Sequence, residues 1–170
     1  MQDFSVGAVG WKPLAFLLGF VVAFPVLLTY AALWATHSRH YFFAWFVLVI
    51  TVPLALALLV QLSVVRVRVE GGRLTVGGGL YRESVSLASV DLGAIRPLSP
   101  VELPRVLGTR TNGVGMPGFV LGWFRPGHGK KVFATAGSGT ALLVPTSGAF
   151  DLVVSPVDQA AFVAALGTPR

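Results

Sequence analysis

From Pro13 to Trp34 the chain reads PLAFLLGFVVAFPVLLTYAALW, 22 positions without a charge. At 1.5 Å per residue that is roughly 33 Å of helix, the thickness of a bilayer's hydrocarbon core. A second uncharged run of the same length, YFFAWFVLVITVPLALALLVQL, extends from Tyr41 to Leu62. The intervening ATHSRH, residues 35 to 40, leaves room only for a tight reversal, so the pattern predicts an antiparallel transmembrane hairpin over residues 13–62, with spans at 13–34 and 41–62. Trp34, Tyr41 and Trp45 mark one end and Trp11 the other, as aromatic residues do where they meet headgroups. Pro25 and Pro53 each remove a backbone donor in mid-span and are expected to kink it. Residues 1–12 lack a basic cluster and the first run is longer than a signal h-region, so it is read as an anchor.

After Leu62 the periodicity switches to alternation. In VVRVRVE, Val65, Val67 and Val69 face one way and Arg66, Arg68 and Glu70 the other, which is a half-buried strand. Gly71-Gly72 supplies a turn and RLTV returns, completing a hairpin. Further strands are expected at 84–97 in two pieces, 118–125, 130–136, 140–146 and 149–155, with turns at Pro126-Gly127-His128-Gly129, Gly137-Ser138-Gly139 and Ser147-Gly148. Ser155 is read as an N-cap and Pro156 as first-turn proline of a closing helix over 156–166. Asp158 favours its positive end, Phe162 and Leu166 form its apolar face, and Gly167 with Pro169 stops it. Residues 63–170 therefore read as about seven short strands and a C-terminal helix. The fold class is an α+β membrane protein, a two-helix transmembrane hairpin followed by a small β-barrel or sandwich capped by a C-terminal helix.

Composition sharpens this picture. The chain is 54% hydrophobic and 12% charged with mean hydropathy +0.75, and residues 13–62 carry one formal charge, Arg39. With no cysteine, disulfides, thiolate chemistry and cysteine-ligated metals are excluded. The net charge of +6 suits anionic headgroups better than nucleic acid in a membrane-tethered chain. By the positive-inside rule, Lys12 before the first span and Arg66, Arg68 and Arg73 after the second put both termini on the cytoplasmic side of the membrane. No Asp, Glu, Lys, Arg or His lies within a span, and Thr29, Tyr30, Thr51 and Gln61 are its polar members, which argues against transport by the isolated chain.

Gly113, Gly115 and Gly118 in RTNGVGMPGFVLGWF have the G-x-G-x-x-G spacing of a dinucleotide loop. Such a loop needs a strand before it and a helix after it, whereas Pro117 and the alternating FVLGWF follow here, so the glycines are expected to shape a loop leading into a strand. Gly129-Lys130 fails as a P-loop because Lys131 replaces the hydroxyl residue. His37 and His40 have no third ligand nearby in sequence, and His128 near Ser138 or Ser147 is the sole candidate base. Catalytic, cofactor and metal sites are accordingly expected to be absent. The segment from Pro97 to Pro117 is read as a long Pro- and Gly-rich connection without a strand pattern.

The glycine-rich stretch and the later TSGAFDLVVSPVDQAAF together resemble bacterial proteins with a pleckstrin-homology-like domain behind a transmembrane hairpin, over about residues 63–166. The resemblance implies a seven-stranded bent barrel capped by one helix and used for binding. Its matching positions are Gly118, Phe119, Gly122, Ser155, Pro156 and Asp158, all structural. The first hairpin turn, Glu70 to Arg73, is short and partly acidic, unlike the basic turns that hold phosphoinositides. The expected function is an accessory or scaffold protein whose hairpin packs on other membrane subunits. The alternative is a sensor of anionic lipid; a hydrolase using His128 is the third reading. Candidate partner or lipid contacts are Arg66, Arg68, Arg73, Lys130 and Lys131.

Overall fold

A computed structural model describes residues 2–6, 11–37, 42–137 and 139–167. Arg39, His40, Tyr41 and Ser138 lie outside them. Two helical rods come first. One runs Trp11–Ala35 as α1 (Trp11–Phe16), a π-helical stretch (Leu17–Ala23) and α2 (Phe24–Ala35); the other is α3 (Phe42–Ser63). Both are long and apolar enough to cross a membrane.

The first proline is absorbed by widening the helix. Phe24 N–H donates to the Gly19 carbonyl, five residues back, just before Pro25 removes the next donor. Pro53 sits inside α3, which continues through it. Leu17 and Ala55 are buried between the rods, whereas Phe20, Phe24, Leu27 and Ile50 face outward, the reverse of a soluble protein's polarity.

The remaining elements build two sheets. β1 (Gln2–Ser5), β2 (Arg66–Glu70), β3 (Arg73–Gly78) and β4 (Tyr81–Ser86) form an antiparallel sheet in that order. The second sheet has the order β5 (Arg96–Leu98), β9 (Ala141–Val144), β10 (Phe150–Val154), β8 (Lys131–Ala136), β7 (Phe119–Arg125) and β6 (Thr109–Met116), with β8 and β10 parallel. Among the described residues this makes ten strands in two sheets, in place of the expected seven-stranded barrel, and the sheets do not close. The free edges of β4 and β6 are joined by a side-chain hydrogen bond, Tyr81 Oη donating to Asn112 Oδ1 at 3.1 Å, in place of a backbone ladder.

Two strands fall where sequence analysis placed none. β1 lies in residues 1–12, and β6 occupies the segment read as a patternless connection, together with the short helix α4 (Leu103–Leu107). The expected strand at 84–97 becomes β4, two short 3-10 turns and β5.

Between the sheets lies one core. Val67, Val69, Leu74 and Val76 meet Leu121, Phe133, Leu152 and Val154, and α5 (Gln159–Leu166) adds Phe162 and Leu166, as the four-residue spacing predicts. The opposite face of the six-stranded sheet is covered too, by Leu107 of α4 over Phe124, Val132, Ala134 and Val153. Burial on both faces is why β8 reads VFATA without polar alternation. Leu62 at the end of α3 belongs to the first core, so the second rod enters the domain without a spacer.

Candidate functional site

β2 begins three residues after α3 ends, and antiparallel register fixes which residues share its near end. Ser5, Arg66, Gly77 and Arg82 form one cross-strand row close to the helix; Glu70, Arg73 and Ser86 lie at the far end. Four residue steps at about 3.3 Å separate Arg66 from Glu70, roughly 13 Å along the strand.

Besides the apolar contact of Leu62 with the core, one amide side chain ties the junction to the β3–β4 turn. Gln61, in the last turn of α3, donates from Nε2 to the Gly78 carbonyl at 2.6 Å and accepts the Leu80 N–H on Oε1 at 3.2 Å. Both amide groups are thereby spent on the backbone of the β3–β4 turn. A Cβ on Gly79, whose φ is +56°, would overlap Gln61 Oε1, and one on Gly78 would overlap the Val64 carbonyl. The glycines at 78 and 79 are therefore what let this turn press against the helix end.

The five candidate basic residues are not gathered in one patch. Arg66 caps α3, Nη1 donating to the carbonyls of Ser63 at 2.8 Å and Val65 at 2.9 Å, where a cation favours the helix C-terminus. Arg68 is bidentate to Asp3 of β1, Nε to Oδ1 at 2.6 Å and Nη2 to Oδ2 at 3.0 Å, and that hydrogen bond holds the Asp3 carboxyl below its usual range. Arg73 donates to the Ser84 hydroxyl at 3.0 Å, at the end of the sheet away from α3. Lys130 donates to the Thr146 carbonyl at 2.6 Å. Lys131, on the second sheet, has no polar partner among the described residues and lines a groove.

That groove, about 340 Å³, is bounded by Thr111, Asn112, Trp123, Lys131, Ala149 and Phe150. Trp123 stacks edge-on against Phe133 and Phe150, at 5.2 and 4.9 Å. The β6–β7 register slips at Thr111, a bulge of the kind that re-aims a side chain, and the Thr111 hydroxyl donates to the Trp123 carbonyl at 3.2 Å. An aromatic floor with one ammonium at its mouth suits a short apolar segment carrying an acidic group. Sequence reasoning named only Lys131 of these residues. The others come from separate strands with no shared local motif; the bulge was the hidden signal.

The glycine stretch is a hairpin. Gly113 and Gly115 lie within β6, not in a loop, and Gly118 (φ +79°) makes the turn into β7, which begins at Phe119. Gly113 (φ +134°) and Gly122 (φ +130°) are directly opposite, and a Cβ on either would overlap the backbone of the other strand. No helix follows, so the G-x-G-x-x-G spacing lacks the geometry that receives a pyrophosphate.

The C-terminal motif also differs in detail from its expected role. The helix begins at Gln159 and not at 156, and its cap is Asp158, whose Oδ1 accepts the Ala161 N–H at 2.8 Å. Ser155 is buried and its hydroxyl unpartnered among the described residues, while Pro156 bridges Val6 and Val157 N–H donates to the Ser5 carbonyl. Ser155-Pro156 thus docks β1 against the end of β10, because the extended backbone at Asp158 delays the helix. Among the described residues no cluster of three His, Asp or Glu could hold a metal, and His128 is exposed in a turn without a hydrogen-bond partner. His40 and Ser138 fall outside the described residues.

Compared with known proteins, residues 65–168 match the family model described as Bacterial PH domain. No curated protein and no solved structure matches the chain. The family is one of binding domains, which engage lipids or proteins. The match takes in more than half of the sequence and contains the groove, the glycine hairpin and the capped helix, and on that ground the chain belongs to the bacterial PH domain family.

Proposed function

We propose that the chain is an integral-membrane accessory or scaffold protein of the bacterial inner membrane. Its hairpin packs against helices of a larger assembly, and its PH domain makes protein contacts at the cytoplasmic face. The observation that carries this reading is the Gln61 clasp. Both of its amide groups bond to the β3–β4 turn and tie the end of a span directly to the domain, which suits a brace more than a tethered probe of the surroundings. Two further features support it. Arg68, Arg73 and Lys130 are occupied within the chain, which leaves fewer cations for a headgroup, and the Trp123 groove has the chemistry of a peptide site. Gly19 and Ala23, four apart on the outward side of the first rod, leave room for a close neighbouring helix.

The second reading, a sensor of anionic lipid, draws on the near-end row of Arg66 and Arg82. Purification in mild detergent followed by mass spectrometry separates the two. A scaffold brings membrane subunits with it in fixed stoichiometry; a protein recovered alone that binds liposomes more tightly with anionic lipid, and less tightly with salt, is the sensor.

A further inference from the structure

Leu80 sits at the tip of the β3–β4 turn with 89% of its surface exposed, the most exposed large apolar side chain among the described residues. A fully solvated leucine on a turn tip covers nothing within the domain. Its position gives it a partner. Its own N–H is bonded to Gln61, two residues before α3 ends, so the tip lies about 3 Å of helix rise from the end of a rod whose 22 residues span roughly 33 Å. That level is the edge of the hydrocarbon layer, where the exposed Trp11 at the start of the antiparallel rod also lies.

Two cations flank the tip. Arg66 and Arg82 face the same side of the sheet in one cross-strand row, separated by Gly77, which has no side chain to come between them. Arg66 spends Nη1 on the helix end, and Arg82 has no polar partner among the described residues. A leucine at the acyl boundary beneath two guanidinium groups at phosphate level is the arrangement that binds an anionic bilayer surface.

We propose that the Gly79-Leu80 turn is a second membrane contact of this protein: Leu80 enters the interfacial layer of the bilayer, and Arg66 and Arg82 meet the phosphates of anionic lipids. The inference rests on α3 crossing the membrane. It assigns the lipid contact to one turn, held by Gln61, and not to Arg68, Arg73, Lys130 or Lys131.

The chain has no cysteine, so single sites can be labelled with an environment-sensitive fluorophore in the full protein. The sites are Leu80→Cys, Val49→Cys on α3 about 5 Å from the helix midpoint, and Ser86→Cys at the far end of β4, each reconstituted in nanodiscs of phosphatidylcholine with phosphatidylglycerol. The Leu80 label is expected to emit at shorter wavelength than the Ser86 label and to be quenched by lipids spin-labelled near the top of the acyl chain. The Val49 label is expected to be quenched best by lipids labelled near the chain end. Arg66→Gln with Arg82→Gln should weaken the Leu80 quenching, as should pure phosphatidylcholine. If the Leu80 label behaves like the Ser86 label while Val49 is quenched, the turn proposal is overturned and the span stands. If Val49 is also unquenched, the span fails, and the proposal with it.

Discussion

Replacing Gln61 by leucine keeps the side chain's bulk and removes both of its hydrogen bonds to the turn, the 2.6 Å bond to the Gly78 carbonyl and the 3.2 Å bond from the Leu80 N–H. Two neutral hydrogen bonds at about 0.5–1.5 kcal/mol each amount to roughly 1–3 kcal/mol. The loss falls on one turn and not on the core, since Val76 and Val85 beside it remain buried. It should therefore appear as local opening. At 1.4 kcal/mol per factor of ten, amide exchange in a peptide covering residues 77–82 accelerates by about 5- to 150-fold, with little change in the β8 and β10 peptides. Hydrogen-exchange mass spectrometry on the reconstituted protein reads this directly. Gln61→Glu retains an acceptor for the Leu80 N–H and should fall between wild type and Gln61→Leu. Unchanged protection of residues 77–82 in Gln61→Leu would refute the clasp as the element joining span and domain.

Gly122→Val introduces a Cβ into the backbone of β6 at a φ of +130°, a strain of order 1–3 kcal/mol; for a domain of this size the thermal midpoint should drop by at least about 4 °C. Phe162→Ala empties a fully buried site whose ring meets Phe4 edge-on at 5.6 Å, and should cost about 3–5 kcal/mol in a denaturant titration while releasing the N-terminal strand to proteolysis. The Asp3 carboxyl is held below the ordinary aspartate range chiefly by its hydrogen bond from Arg68, so its contribution to docking β1 is complete above the unfolded value, about 4, and is lost as pH falls through the lower folded value. Carboxyl NMR should place Asp3 among the lowest-titrating aspartates, and Arg68→Gln should return it to the ordinary range.

What the sequence made legible are the elements whose signal is local. The uncharged runs gave both rods within a few residues, and alternation in VVRVRVE and RLTV gave β2 and β3 with Val67, Val69, Leu74 and Val76 inward as found. β1 could not be read, because QDFS carries little pattern of its own and becomes a strand through the free edge of β2 and the Asp3–Arg68 pair. β6 was hidden for a related reason. TRTNGVGM is an exposed edge in which Gly113 permits the close approach to Gly122 and Gly115 leaves room for the Arg110 side chain, and these glycines remove the apolar alternation that marks a strand. Ser155 was mistaken for the cap because a hydroxyl before proline is a common helix start; only the chain's path past Val6 shows the helix waiting for Asp158. The groove and the clasp are long-range by construction. Gln61 meets a turn seventeen and nineteen residues away, and in sequence it is only a polar residue near the end of an apolar run.

The central claim is a polypeptide that crosses the bilayer twice with its PH domain fixed to the cytoplasmic end of the second span. It is tested most directly by labelling single cysteines with a membrane-impermeant maleimide in intact spheroplasts. Thr36→Cys, exposed just beyond α2, should react from outside, and Ser86→Cys, exposed at the far end of β4, should react only after lysis. Reaction of both sites from the same side would contradict it.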